Sequence, residues 1–233
     1  MGMSWRILRS QAAGSLSSID WPAGAGTRNR DFADRAGGMR QDNSRISTLM
    51  GRAAGLGMNL AAYVGSGHLN ISHLDPAEVS PGEFVDMVRE SVETHGVRAV
   101  LIDSLNGFLQ AMPGEQFLAL HLHELLTYLN NRGVLTLLVL AQMGLVGSAM
   151  QTPIDVSYLA DNILVFRYFE AKGEVRQAIS MMKKRSGGHE RSIRELRFGE
   201  NTIRVGAPLT DFQGILSGTP TSLVSNGRGP LNG

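Results

Sequence analysis

The 233-residue sequence contains no cysteine, which excludes disulfide bonds and thiolate metal sites and suits a reducing compartment. No stretch approaches 18 consecutive apolar residues, and the N-terminus lacks the apolar core of a signal peptide. The formal net charge of +1 gives no sign of a general nucleic-acid surface. We therefore expect a cytoplasmic protein without a membrane segment and without nucleic acid as its partner.

Lysine is also scarce, and its positions matter. The sequence has three lysines, at 172, 183 and 184, and none of them is followed by serine or threonine. The motif G-x-x-x-x-G-K-[ST], whose backbone amides and lysine hold nucleotide phosphates, is therefore absent from these 233 residues.

One short apolar run nevertheless ends in a carboxylate that suggests nucleotide chemistry. The run is "VRAVLIDSLNG", residues 97–107, and it has the length and β-branched content of a buried parallel strand that ends at Asp103. Open α/β sheets bind ligands at the carboxyl ends of their strands, where P-loop ATPases place the Walker B aspartate that orients Mg²⁺. Taken alone, an aspartate at a strand end is weak evidence for a site, and an ordinary strand-end cap is the favoured interpretation of Asp103.

Three regions of the chain differ in composition and in hydrophobic periodicity. Residues 1–45 contain six glycines and seven arginines without helical or strand periodicity, so we expect them to be disordered or irregular. Residues 46–216 carry the periodic segments and form the predicted domain. Residues 217–233 are rich in Gly, Pro, Ser and Asn and are predicted to be a flexible tail.

Helix and strand patterns alternate through the first part of that domain. The predicted elements are a helix from Ile46 to about residue 55, a strand at 69–74, a helix opened by the capping box Ser80–Glu83, a strand to Asp103, a helix at 115–132 and a strand at 134–142. This alternation predicts a doubly wound parallel sheet. From residue 162 onward, long strands around the Lys172–Gly173 turn predict an antiparallel addition.

Several ordered motifs resemble the KaiC family of RecA-superfamily ATPases. They include "DPAEVSPGEF", "VLIDSLNGFLQAMP", "LHLHELLTYL", "DVSYLADNILVFRYFE" and "AISMMKKRSGGHERSIREL", and the similarity runs from about Ser44 to Pro220. The resemblance implies a RecA-like α/β fold with helices on both faces of a mostly parallel sheet, and antiparallel strands toward the C-terminus. It also implies ATP and Mg²⁺ as cofactors, ATP hydrolysis, serine/threonine autophosphorylation, a hexameric ring and a circadian clock role.

The resemblance also assigns roles to individual residues. Asp103 falls on the Walker B aspartate, which would bind Mg²⁺, and Gln142 falls on the polar residue that senses the γ-phosphate. A cationic group matches the family pattern that contacts nucleotide held by the neighbouring subunit; its members are Lys183, Arg185, His189 and Arg191. Ser157 matches a phosphorylated serine, with Tyr158 in place of the family's threonine.

Two family features are missing from the first 45 residues. Neither the Walker A loop nor the acidic pair that activates water is present. We therefore predict an ATPase or autokinase domain impaired by loss of the P-loop, and a truncated or frame-shifted gene would account for it. One alternative is a non-catalytic pseudo-ATPase that forms homo-oligomers or a mixed ring with an intact homologue. A RecA-like DNA-binding protein is the other, which the near-zero net charge disfavours.

Overall fold

A computed structural model describes residues 3–8, 43–74, 79–106, 118–141, 157–217 and 220–223. The chain divides into two compact units, Met1–Ala141 and Gln142–Gly233. The fold is the mixed α/β class that the sequence predicted, with parallel strands in the first unit and an antiparallel sheet in the second.

Within its described residues, the first unit has four helices and a four-stranded sheet in the order β2-β1-β3-β4. Its strands are β1 (Met3–Leu8), β2 (Leu69–Leu74), β3 (Ala99–Asp103) and β4 (Leu135–Val139). Its helices are α1 (Asn43–Gly55), α2 (Leu60–Gly65), α3 (Pro81–His95) and α4 (Leu118–Asn131). Strands β3 and β4 pair in parallel, and β1 is antiparallel to both β2 and β3, so β2, β3 and β4 all run in one direction.

Strand β1 corrects the expectation that residues 1–45 are irregular throughout. It inserts antiparallel between two strands that run in the same direction, where no strand was predicted. The alternation of Met3, Trp5 and Ile7 with polar residues was a strand signal. The alternating stretch is short and precedes a segment rich in glycine and arginine, so the composition of residues 1–45 outweighed it in the prediction. Helix α1 also begins three residues before Ile46.

Helix α3 has the boundaries that its sequence signals predicted. The Ser80 hydroxyl accepts a hydrogen bond from the Glu83 amide at 3.3 Å, and the Glu83 carboxylate accepts one from the Ser80 amide at 2.8 Å. This reciprocal pair is a capping box, with Pro81 in the first turn. Gly96 ends the helix with φ at 63°, in the left-handed region that favours glycine.

The apolar core of the first unit lies where β3 meets helices α3 and α4. It is built from side chains that are at most 1% exposed: Val88, Val100, Ile102, Leu105, Leu125 and Leu129. Apolar residues recur along α4 at helical spacing, so one stripe is buried while Leu120 on the same helix remains 51% exposed. No helix in the described part of the chain is long and apolar enough to span a membrane.

The second unit is built on a four-stranded antiparallel meander in the order β5-β6-β7-β8. The strands are β5 (Asn162–Ala171), β6 (Glu174–Lys184), β7 (Arg194–Gly199) and β8 (Thr202–Pro208). Lys172 and Gly173 both have positive φ, 55° and 76°, as a tight two-residue hairpin turn requires. Strands β5 and β6 and the turn between them are the ones the sequence predicted.

One face of this sheet is covered by the chain that follows β8. Phe169, Ala171, Ala178 and Ile215 form the buried cluster, and Leu209 and Phe212 pack against it. The Arg167 guanidinium donates to the Leu216 carbonyl at 2.9 Å and fixes this covering segment. Two short strands, β9 (Phe212–Gln213) and β10 (Thr221–Ser222), pair antiparallel, so part of the predicted flexible tail has regular structure.

Candidate functional site

Asp103 is the last residue of β3, at the carboxyl end of the parallel pair. It lies opposite Val139 of β4 and opposite Ser4 of β1, and it is half-buried. The peptide bond from Asp103 to Ser104 is cis. The strand end therefore presents a carboxylate at the edge of the sheet where α/β proteins bind ligands, as the sequence predicted.

Asn106, three residues later, joins this strand end to the end of β4. Its side-chain amide donates to the Ala141 carbonyl at 2.7 Å, and its carbonyl oxygen accepts from the Ala141 amide at 2.7 Å. The side chain is buried, so both polar groups are satisfied by one backbone unit 35 residues away in the chain. Asn106 was not predicted from the sequence, in which the available signal was an asparagine three residues after the aspartate that ends a strand.

Gln142 lies outside the described residues, so its predicted position at the phosphate edge stays a prediction. Its predecessor Ala141 is held by Asn106. The backbone that leads into Gln142 therefore starts beside the end of β3.

In the second unit, Lys183 and Arg185 both reach the turn that precedes β5. The Lys183 ammonium donates to the Ser157 carbonyl at 2.8 Å, and Arg185 donates to the Tyr158 carbonyl at 3.4 Å. Arg185 also forms an ion pair with Asp161 at 2.8 Å, in which both side chains are more than half exposed. The structure therefore brings Lys183, Arg185 and Ser157 together.

His189 and Arg191 follow the turn at Gly187, whose φ is 75°. Within the described ranges neither side chain has a hydrogen bond or an ion pair, and Arg191 is exposed. Glu190 between them is engaged elsewhere: it accepts hydrogen bonds from Ser192 and from Arg194, and these bonds hold the pKa of its carboxyl below the ordinary value. The only acidic side chain in this stretch is thus directed toward Arg194.

Asp103 and the cationic residues belong to different units. The described residues contain no group of three or more His, Cys, Asp or Glu side chains that could hold a metal ion.

Comparison with known proteins gives one family for most of this chain. The family model described as "ATPase: KaiC" matches residues 42–210. This range contains Asp103, Gln142, Ser157 and the cationic residues.

Individual relatives carry the same family name. A protein named "Circadian clock protein KaiC3" from Synechocystis sp. is 25% identical over 172 residues, which cover 74% of this chain and 34% of the relative. "Circadian clock oscillator protein KaiC" from Synechococcus elongatus is 21% identical over 184 residues, 79% of this chain and 35% of the relative. The protein of that name from Thermostichus vulcanus is 36% identical over 77 residues, 33% of this chain and 15% of its own. The chain thus spans about a third or less of the relatives' length.

Proposed function

The chain belongs to the KaiC family of ATPases, and from that premise we propose that it is a nucleotide-binding domain whose own affinity for Mg-ATP is low. The observation that carries the proposal is Asp103 at the carboxyl end of the parallel β3–β4 pair, with Asn106 holding Ala141 by two hydrogen bonds. Low affinity follows from the sequence, because no glycine-rich loop with a lysine followed by Ser or Thr is present in it.

The single Asp103 carboxylate at the strand end suits Mg²⁺ better than it suits a metal whose ligands all come from the protein. Mg²⁺ is usually held by one or two carboxylates together with phosphate oxygens and water, so one carboxylate at Asp103 is sufficient. When bound there, Mg²⁺ would neutralise charge on the phosphates. Asn106 would position the backbone leading to Gln142, which we propose as the side chain that contacts the terminal phosphate.

This site can be tested by titrating the chain into a fluorescent ATP analogue with and without Mg²⁺. Wild-type protein is expected to bind weakly and only with Mg²⁺. Asp103→Asn should abolish the Mg²⁺-dependent part, because an amide is a poor ligand for this ion. Asp86→Asn, on the exposed side of α3, is the matched control and should leave binding unchanged. Equal Mg²⁺-dependent binding by Asp103→Asn would refute the assignment.

A second function is favoured by the cationic residues of the second unit. We propose that the chain contributes them to nucleotide bound by an intact family member in a mixed ring. Arg191 and His189 suit this role best, because neither has an internal partner among the described residues, whereas Lys183 and Arg185 already bond carbonyls of the 157–158 turn. Cations without partners gain most when an anion arrives.

The test is the ATPase rate of verified mixed assemblies made with an intact homologue. Arg191→Ala and Arg185→Ala are expected to lower the rate, and neither should unfold the isolated chain, because both side chains are exposed. Arg204→Ala on β8 is the control, since it removes another exposed guanidinium outside the 183–191 segment. An unaltered rate for Arg191→Ala in such assemblies would show that this segment is solvated surface.

Ser157 is proposed as a phosphorylation site in such an assembly. Ser157 is exposed, and the Lys183 ammonium donates a hydrogen bond to the Ser157 carbonyl. A phosphate on Ser157 would therefore add about two negative charges beside an ammonium group. Incubation with an intact homologue and ATP, followed by mass spectrometry, should detect phosphate on Ser157 in the wild type and none in this peptide of Ser157→Ala. An unmodified wild-type peptide in an assembly that hydrolyses ATP would rule the site out.

A further inference from the structure

One buried carboxylate in the second unit is shared between two guanidinium groups. Glu195 is 7% exposed, and its Oε1 accepts from the Arg176 Nε while its Oε2 accepts from the Arg197 Nε, each at 2.7 Å. The Nη2 of each guanidinium lies 2.5 Å from the same oxygen as its Nε. Within the described residues the Nη1 group of each arginine has no partner, so both keep N–H donors in reserve.

Arg204 adds a third guanidinium to this group. It lies directly opposite Arg197 in the antiparallel β7–β8 pair, so the two side chains leave the same face of the sheet with Cβ atoms about 5 Å apart. In the part of the chain that the structure describes, the exposed Arg204 side chain forms no hydrogen bond and no ion pair. Like charges directly opposed on two strands destabilise a sheet. Arg176, Arg197 and Arg204 are called the arginine row below.

The arginine row carries more positive charge than its own carboxylate balances. One carboxylate, Glu195, serves all three guanidinium groups, which leaves two charges in excess. Other carboxylates lie on neighbouring segments, namely Glu174 on β6, Glu200 in the β7–β8 turn and Asp211 after β8, but among the described residues none of them forms an ion pair with the row. The Arg197 side chain is 67% exposed, so the excess charge faces solvent.

We propose that the arginine row binds a phosphate-type dianion between Arg197 and Arg204. The planar guanidinium presents paired N–H donors that match two oxygens of a phosphate group, and an excess of two charges matches a dianion. Glu195 already holds Arg197 in place, so binding orders fewer side-chain rotamers than it would at a free arginine. The row includes neither Asp103 nor the 183–191 segment, so the proposal goes beyond the proposed function and stands or fails separately.

Titration of the complete chain with inorganic phosphate, followed by phosphorus NMR at constant ionic strength, tests this site. The wild type should bind phosphate saturably at a single site, whereas a merely solvated row would attract it only diffusely. Arg204→Gln should weaken binding by about tenfold or more, because it removes a set of charged donors. It should leave the fold intact, because the exposed side chain has no partner among the described residues. Arg204→Lys keeps the charge without the fork and should bind with intermediate affinity.

Arg191→Gln is the matched control, since Arg191 is another exposed arginine of the second unit without a partner in the described ranges. It should leave phosphate binding unchanged. O-phosphoserine as a second probe separates two sources of the dianion: tighter binding than that of inorganic phosphate indicates a phosphate group carried by a larger molecule, and equal or weaker binding indicates the free ion.

Three results would each overturn the proposal. They are the absence of saturable binding for both probes, binding that Arg204→Gln leaves unchanged, and a loss in Arg191→Gln as large as the loss in Arg204→Gln.

Discussion

The two sheets of this chain are covered to different extents. In the first unit, β3 contributes Val100 and Ile102, each 1% exposed, to a core shared with helices. In the second unit, the segment after β8 covers one face, while Phe166, Phe198 and Val205 on the other face are more than half exposed. The difference shows that apolar side chains of β3 are enclosed by helices, whereas one face of the second sheet leaves apolar side chains exposed.

The largest expected effect follows from the helical core of the first unit. Leu129→Ala in α4 removes a side chain that is fully buried, and the lost burial plus the cavity should lower the free energy of unfolding by about 2–5 kcal/mol. Leu120→Ala on the same helix removes a side chain that is 51% exposed and should cost less than about 1 kcal/mol. Urea unfolding measures both. Equal losses would contradict the account of this core.

The second unit offers a buried ion pair for the same comparison. Glu195 is 7% exposed and accepts hydrogen bonds from Arg176 and Arg197, each at 2.7 Å. Glu195→Gln leaves Arg176 without its charge partner and should cost about 1–3 kcal/mol. Glu190→Gln, which breaks an exposed pair with Arg194, is the control and should cost under about 1 kcal/mol. Indistinguishable losses would show that burial adds nothing to the Glu195 pair.

The same carboxylate predicts a dependence on pH. The hydrogen bond from Arg197, supported by Arg176, holds the pKa of Glu195 below its ordinary value, and burial opposes this only in part. Because the folded pKa is the lower one, the contribution is complete above the unfolded pKa of about 4.3 and is lost as the pH falls through the folded pKa. Glu195→Gln should therefore differ most from wild type near neutral pH and converge with it in acid. A stability difference that grows in acid would contradict this.

A smaller effect is expected at the start of α3. Ser80→Ala removes one half of the capping box and should cost about 1 kcal/mol. Ser80→Asn keeps an acceptor for the Glu83 amide without adding a charge beside the Glu83 carboxylate, so it should remain close to wild type. Thermal unfolding of the two variants checks this, and an equal loss for Ser80→Asn and Ser80→Ala would contradict the capping role.

Some features of the fold were predictable because they depend on residues close together in the sequence. The capping box at Ser80, the left-handed end at Gly96 and the Lys172–Gly173 turn each depend on residues within a few positions. Asp103 was predictable because the apolar run ends there. The insertion of β1 between β2 and β3 was not, because strand pairing across more than 60 residues leaves no local signal.

Contacts between residues distant in sequence were also not predictable at the candidate sites. Asn106 holds a backbone unit 35 residues away, and Lys183 and Arg185 reach carbonyls 26 and 27 residues before them. The motif in the sequence grouped Lys183 with Arg185, but it could not show that both bond the turn containing Ser157. Residue type indicated the chemistry, and the fold determined which partner each side chain found.

The proposed low affinity for nucleotide is tested most directly by calorimetric titration of Mg-ATP into the purified wild-type chain. A phosphate-binding loop supplies several charge-assisted hydrogen bonds of roughly 1.5–3 kcal/mol each, and losing two of them weakens binding by about 10²–10⁴-fold. The account predicts a dissociation constant of about 0.1 mM or weaker, by comparison with about 1 µM for an intact site. A value of about 1 µM or tighter would contradict it.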